Sequence, residues 1–66
     1  MSAKEMFEEM GYTFTQNEEG IAYLLGDKVG VQFRDAHKDV VFGMGISITA
    51  DLLKAVTKQY EELGWL

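Results

Sequence analysis

Apolar residues recur along the chain with two periods, and each change of period marks an element. From Ser2 to Met10, Ala3, Met6, Phe7 and Met10 fall at i, i+3, i+4 and i+7, one stripe of a short helix. Ser2 followed by Glu5 fits a capping box, in which the serine oxygen accepts from the Glu5 N–H. Gly11 stands where a left-handed residue ends a helix. About two turns are too few to hold alone, so this helix must dock on something larger.

From Tyr12 to Gly45 the period is two. Tyr12 to Gln16 alternates aromatic and polar residues, the mark of a half-buried strand. Asn17-Glu18-Glu19-Gly20 reads as a turn. A second strand spans Ile21 to Leu25, with Ile21, Tyr23 and Leu25 on one face and Ala22 and Leu24 on the other. Gly26-Asp27-Lys28 turns the chain again. In the third strand Val29, Val31 and Phe33 alternate with Gly30, Gln32 and Arg34. Asp35-Ala36-His37-Lys38 has a common hairpin-loop length, and Val40 to Gly45 forms a fourth strand. Gly43 and Gly45 weaken that strand and predict a bulge or bend near its end.

The period then returns to 3.6. Thr49 is the expected N-cap of a long closing helix, with Asp51 in its first turn favourable to the helix dipole. Leu52, Val56 and Leu63 make a stripe that Leu53 and Tyr60 widen. Asp51, Lys54, Lys58, Glu61 and Glu62 lie opposite, with Asp51–Lys54 and Lys58–Glu62 at pairing distance. Gly64 ends the helix, and Trp65 and Leu66 fold back. The fold expected is a single α+β domain over residues 1–66. It is a three- to four-stranded antiparallel meander with a short N-terminal and a longer C-terminal helix on one face, in the order α-β-β-β-β-α. The other face then carries Thr13, Thr15, Ala22, Leu24, Gly30, Gln32 and Arg34, with either Val41 or the Val40/Phe42 pair.

Composition narrows what such a domain can do. Sixty-six residues are near the lower limit for a hydrophobic core without disulfides or a metal. There is no cysteine and a single histidine, so thiolate and histidine metal sites are not expected. Good packing or a homodimer must supply the stability, and 47% hydrophobic residues favour packing. A net charge of -5 opposes binding to nucleic-acid phosphates and to anionic membranes. No apolar run approaches a membrane span, and MSAKEMFEEM lacks the pattern of a signal peptide. A protein of the reducing cytoplasm is the simplest reading.

Candidate chemistry is sparse. His37 between Asp35 and Asp39 reads as an exposed turn histidine, not an acid–base group. The glycines around Asp27 and Lys28 lack the strand-loop-helix context of a phosphate cradle. No Ser or Thr has a neighbouring base, so no catalytic residue and no cofactor is expected. What remains points to partner binding. Glu5, Glu8 and Glu9 share the outer side of the first helix, a solvated face or an acidic patch for a basic partner. Leu24 and its neighbours could form an apolar patch on the second sheet face. Glu61 and Glu62 oppose the dipole of the closing helix, and Gln59 borders its apolar stripe. Trp65 reads first as a core plug and second as an exposed anchor.

The closing segment, Leu52 through Lys58-Gln59-Tyr60-Glu61-Glu62-Leu63-Gly64-Trp65, resembles the ending of small uncharacterised proteins encoded by phages and prophages of Gram-positive bacteria. The opening Ala3-Lys-Glu-Met-Phe-Glu-Glu-Met-Gly-Tyr12 is similar to their beginning. That resemblance covers both ends and implies a phage or prophage origin, with no activity attached to it. The function expected is a non-enzymatic, small acidic protein–protein interaction module that inhibits or modulates a host or phage protein. The alternative is a self-associating assembly protein; a small-molecule binder ranks below both, because so small a domain has little room for a pocket.

Overall fold

The structure, a computed structural model, describes residues 1–66. Its elements run α1 (Ala3–Glu9), β1 (Tyr12–Asn17), β2 (Gly20–Leu25), β3 (Lys28–Arg34), β4 (Asp39–Phe42) and α2 (Ala50–Leu63). The four strands form one antiparallel sheet in the order β1-β2-β3-β4, the topology that short hairpin connections dictate. Phe7 from α1 and Leu52, Ala55 and Val56 from α2 enclose a core with Tyr12, Tyr23, Val31 and Phe33 from one face of the sheet. The fold is therefore α+β in two layers, as its periodicity predicts, with the other sheet face left uncovered. No helix is long and apolar enough to cross a membrane.

The caps form as expected. Ser2 and Glu5 make a reciprocal capping box at α1, with Ser2 N donating to Glu5 Oε1 at 2.8 Å and Glu5 N to Ser2 Oγ at 3.1 Å. Thr49 Oγ1 accepts from Leu52 N at 3.1 Å and starts α2. Gly64 takes φ 77° and ends it, and Trp65 N donates back to Tyr60 O at 2.9 Å. The same turn brings Trp65 against the core, its ring centroid 5.3 Å from Tyr60 and 6.3 Å from Phe33. The helix-surface ion pairs do not form: Arg34–Asp39 is the one pair within 4.0 Å, and neither Asp51–Lys54 nor Lys58–Glu62 closes. Exposed pairs of long side chains gain little for the freedom they lose.

The sequence reading of β3 needs correction. Tyr23 pairs with Val31, but Leu24 pairs with Val29, so Gly30 is one residue too many for the ladder and forms a bulge. A slip of one residue exchanges faces. Gly30 turns to the helix side, where a Cβ would lie 2.9 Å from Tyr12 Cε2. Val29 turns to the uncovered side and is 45% exposed, away from Val31 and Phe33. The fourth strand also ends earlier than expected, at Phe42. Gly43 N donates to Gly30 O at 2.7 Å, and a Cβ on Gly43 would stand 2.5 Å from the Val29 carbonyl oxygen. The chain crosses the bulge so closely that only glycine fits, then bends away. The open question of β4 parity resolves with Val40 and Phe42 against the core and Val41 on the uncovered face.

This crossing ranks three glycine substitutions. Gly43→Ala is expected to lower the unfolding free energy by about 2–3 kcal/mol, because the added methyl meets backbone. Gly30→Ala meets the edge of a ring and should cost about 1–2 kcal/mol. Gly11→Ala meets nothing within 4 Å and suffers only its φ of 91°, about 1 kcal/mol. Urea denaturation measures all three; a Gly43→Ala no worse than Gly11→Ala would contradict the tight crossing.

Candidate functional site

The uncovered sheet face is assembled by register. Leu24 on β2 stands opposite Val29 on β3, and Val41 on β4 stands opposite Gln32. Val29 and Val41 are each 45% exposed, and Leu24 is half-buried. A shallow concavity of about 380 Å³ runs beside them, lined by Asn17, Glu19, Val29, Gln32, Arg34 and Val41. Three aliphatic side chains thus lie on a surface with no element of the chain above it.

Polar groups around this patch are already matched to one another. Asn17 Nδ2 donates to Gln32 Oε1 at 2.6 Å, and Gln32 Nε2 donates to Asn17 Oδ1 at 3.1 Å and to Phe33 O at 2.9 Å. Asn17 sits on β1 and Gln32 on β3, so the pair reaches across β2. Ala22, between Thr15 and Gln32, is fully buried although no helix covers it. Asn17 Oδ1 also accepts from Glu19 N and Gly20 N, which fixes the β1–β2 turn. Arg34 and Asp39, opposite each other on β3 and β4, form a two-pronged fork, Nε–Oδ1 2.7 Å and Nη2–Oδ2 2.5 Å. The hydrogen bonds from Arg34 hold the Asp39 carboxyl below the usual range, and those to Asp39 raise Arg34. The face presents exposed aliphatic side chains framed by polar groups that are hydrogen-bonded to one another.

The residues expected to meet a partner separate into two sets. Glu8, Glu9 and Glu61 are exposed, and Leu24 belongs to the uncovered face. The others have intramolecular work. Glu5 closes the capping box, and its bonds with Ser2 hold its carboxyl below the usual range. Glu62 Oε2 accepts from Ala3 N at 2.9 Å, so this acid caps α1 from the end of α2. Gln59 is 4% exposed and accepts a hydrogen bond of 2.5 Å from the Tyr23 hydroxyl. It therefore offers no surface to a partner in this fold, and its place on the border of the stripe reflects a buried polar pair. Trp65 is half-buried on Phe33 and Tyr60. His37 is exposed in the β3–β4 turn, and no group of His, Cys, Asp or Glu is arranged to hold a metal ion.

Val41, one of the two alternatives the alternation leaves open for β4, and Val29, which alternation places with Val31 and Phe33, complete the patch around Leu24. A glycine inside a strand signals a bulge. Read at Gly30, as it was at Gly43 and Gly45, that signal would have moved Val29 to this face.

Comparison with protein-family models, with curated proteins and with solved structures gave no match.

The Tyr23–Gln59 pair gives a pH prediction. Burial, and then the negative charges of Glu62 and Glu8, push the Tyr23 hydroxyl up to about 12. In the unfolded chain it ionises near 10. The folded state thus favours the neutral phenol, and this contribution is complete below about pH 10 and lost as pH rises through about 12. It amounts to about 2–3 kcal/mol. Tyr23→Phe should cost about 1–3 kcal/mol at neutral pH by stranding the Gln59 amide, and should flatten the alkaline loss. Urea midpoints between neutral pH and about pH 11 check both effects; equal alkaline slopes in the two proteins would refute the assignment.

Proposed function

We propose that this chain is a non-enzymatic protein–protein interaction module that docks on a host or phage protein and modulates it. The observation that carries the reading is the aliphatic cluster Leu24, Val29 and Val41 on a sheet face that nothing in the chain covers. Exposed aliphatic side chains grouped on one face, with the surrounding polar groups paired off, suit contact with another surface. The similarity of both chain ends to phage and prophage proteins supports the choice of a host or phage protein as partner. Burying the exposed part of three side chains contributes a few kcal/mol at about 25 cal/mol per Å², less than association costs. Further contacts outside the patch must therefore share the binding.

A homodimer through the same face is the second reading, and the charge distribution favours it. Across the strands and turns from Ile21 to Ile48, Lys28, Arg34 and Lys38 balance Asp27, Asp35 and Asp39. Two copies meeting there approach without net repulsion, whereas the helices and the β1–β2 turn carry the acidic excess.

Two measurements separate the readings. Sedimentation across a concentration series should show a monomer at tens of micromolar. Immobilised protein should retain a partner from a Gram-positive lysate, and Leu24→Glu with Val41→Glu should reduce that retention at least about tenfold. A dimer that the double substitution dissociates would establish self-association instead. A monomer that retains nothing would sink both.

A further inference from the structure

The two edges of the sheet are not equally guarded. β4 is four residues long, opens with Asp39 in its ion pair and stops where Gly43 bends the chain away. β1 is six residues, YTFTQN, with no charge, no proline and an unbroken register against β2. Edge strands are usually blunted by shortness, charge, proline or a bulge, and β1 has none of these. Its inward backbone groups pair with β2. None of the backbone hydrogen bonds outside the regular elements involves Tyr12 to Asn17, so the outward N–H and C=O groups of β1 have no partner in the molecule.

The charge around this edge is net negative. Residues 1 to 20 hold Glu5, Glu8, Glu9, Glu18 and Glu19 against Lys4, a balance of -4. Lys4 lies over the β1 residue Phe14, 5.2 Å from its ring centroid, and Glu8 follows it by one helical turn on the same flank. Glu18 stands exposed in the turn at the other end of β1, while Glu19 of the same turn lines the concavity beside Arg34. The strand is thus bracketed by carboxylates. Pairing of two β1 strands about a two-fold axis, antiparallel, would set Glu18 of each copy near Glu8 of the other. That repulsion opposes a second copy and attracts a cationic strand.

We infer that the free edge of β1 accepts an extended, lysine- or arginine-bearing segment of a partner protein as a fifth strand. Backbone hydrogen bonds hold the segment, and Glu8 and Glu18 select its charge. This rests on reading the chain as an interaction module, and it supplies contacts that the aliphatic patch lacks.

The test uses the full chain labelled with ¹⁵N and a capped heptapeptide of alternating lysine and valine. Two control peptides accompany it: one N-methylated on every residue, so that neither edge can donate, and one with glutamate for lysine. The lysine peptide should slow exchange of the outward β1 amides at least about tenfold at saturation, and neither control should. Its affinity should fall at least about fivefold in high salt, and likewise in the Glu8→Lys/Glu18→Lys variant. Equal protection by the N-methylated peptide, or protection at β4 or around Leu24 instead of β1, would overturn the inference. So would protection of β1 that grows with concentration of the chain alone, which would place a second copy there. If the peptide leaves β1 untouched while Leu24→Glu with Val41→Glu still abolishes partner retention, only the edge assignment falls. If no partner is retained either, the interaction reading falls with it.

Discussion

Tyr23 is the point at which every layer of this small domain meets. Its ring lies on that of Phe7 from α1, with centroids 3.8 Å apart and planes 15° apart. Phe14 and Phe33 meet it edge to face from the neighbouring strands at 5.7 and 6.2 Å. Its hydroxyl donates to Gln59 of α2. One side chain in the second strand therefore orients both helices, by stacking on one and by a hydrogen bond to the other. With no disulfide to restrain the unfolded chain, stability depends on such convergence. Burying a phenol and an amide is tolerated because each satisfies the other, and no buried side-chain polar atom is left without a partner. A Leu at position 23 would fill space but could not set the angle of α2.

A second polar contact works at the rim of the same core. The Glu62 carboxylate accepts from the first backbone N–H of α1. A helix of seven residues has few hydrogen bonds of its own, so its placement depends on what holds its start. Ser2, Glu5 and Glu62 hold that start, while Phe7 anchors the buried stripe. The acidic character of the chain is partly architectural for this reason. Carboxylates that look available to a partner are spent on the exposed donors of a helix terminus, and the glutamates left free are Glu8, Glu9, Glu18, Glu19 and Glu61.

The fold was legible because local signals agree with one another. Ser2–Glu5, Thr49 and Gly64 mark the helix ends within three residues of the positions they cap, and the strand period is plain from Tyr12 to Leu25. The failures share one cause. Gln59 meets Tyr23 across 36 residues and Glu62 meets Ala3 across 59, and no local period encodes such pairs. Each was visible only as a residue that its own helix did not explain. Val29 failed differently: alternation assigns faces only while the ladder keeps step, and the bulge breaks that step between Val31 and Val29. The uncovered face was thus half readable, with Leu24 in place, Val41 one of two open alternatives and Val29 found only by the fold.

The bulge at Gly30 also divides the β2–β3 hairpin into two parts. Above it, Leu24, Leu25, Lys28 and Val29 take their register from the two-residue loop Gly26-Asp27. Below it, Tyr23, Val31 and Phe33 take theirs from the core. The extra residue absorbs the offset between the two settings, so the tip of the hairpin can drift in length and composition without turning Tyr23 or Phe33 out of the core. In this domain, variation is cheap at the hairpin tip and costly one residue further in, and Gly30 is where that boundary falls.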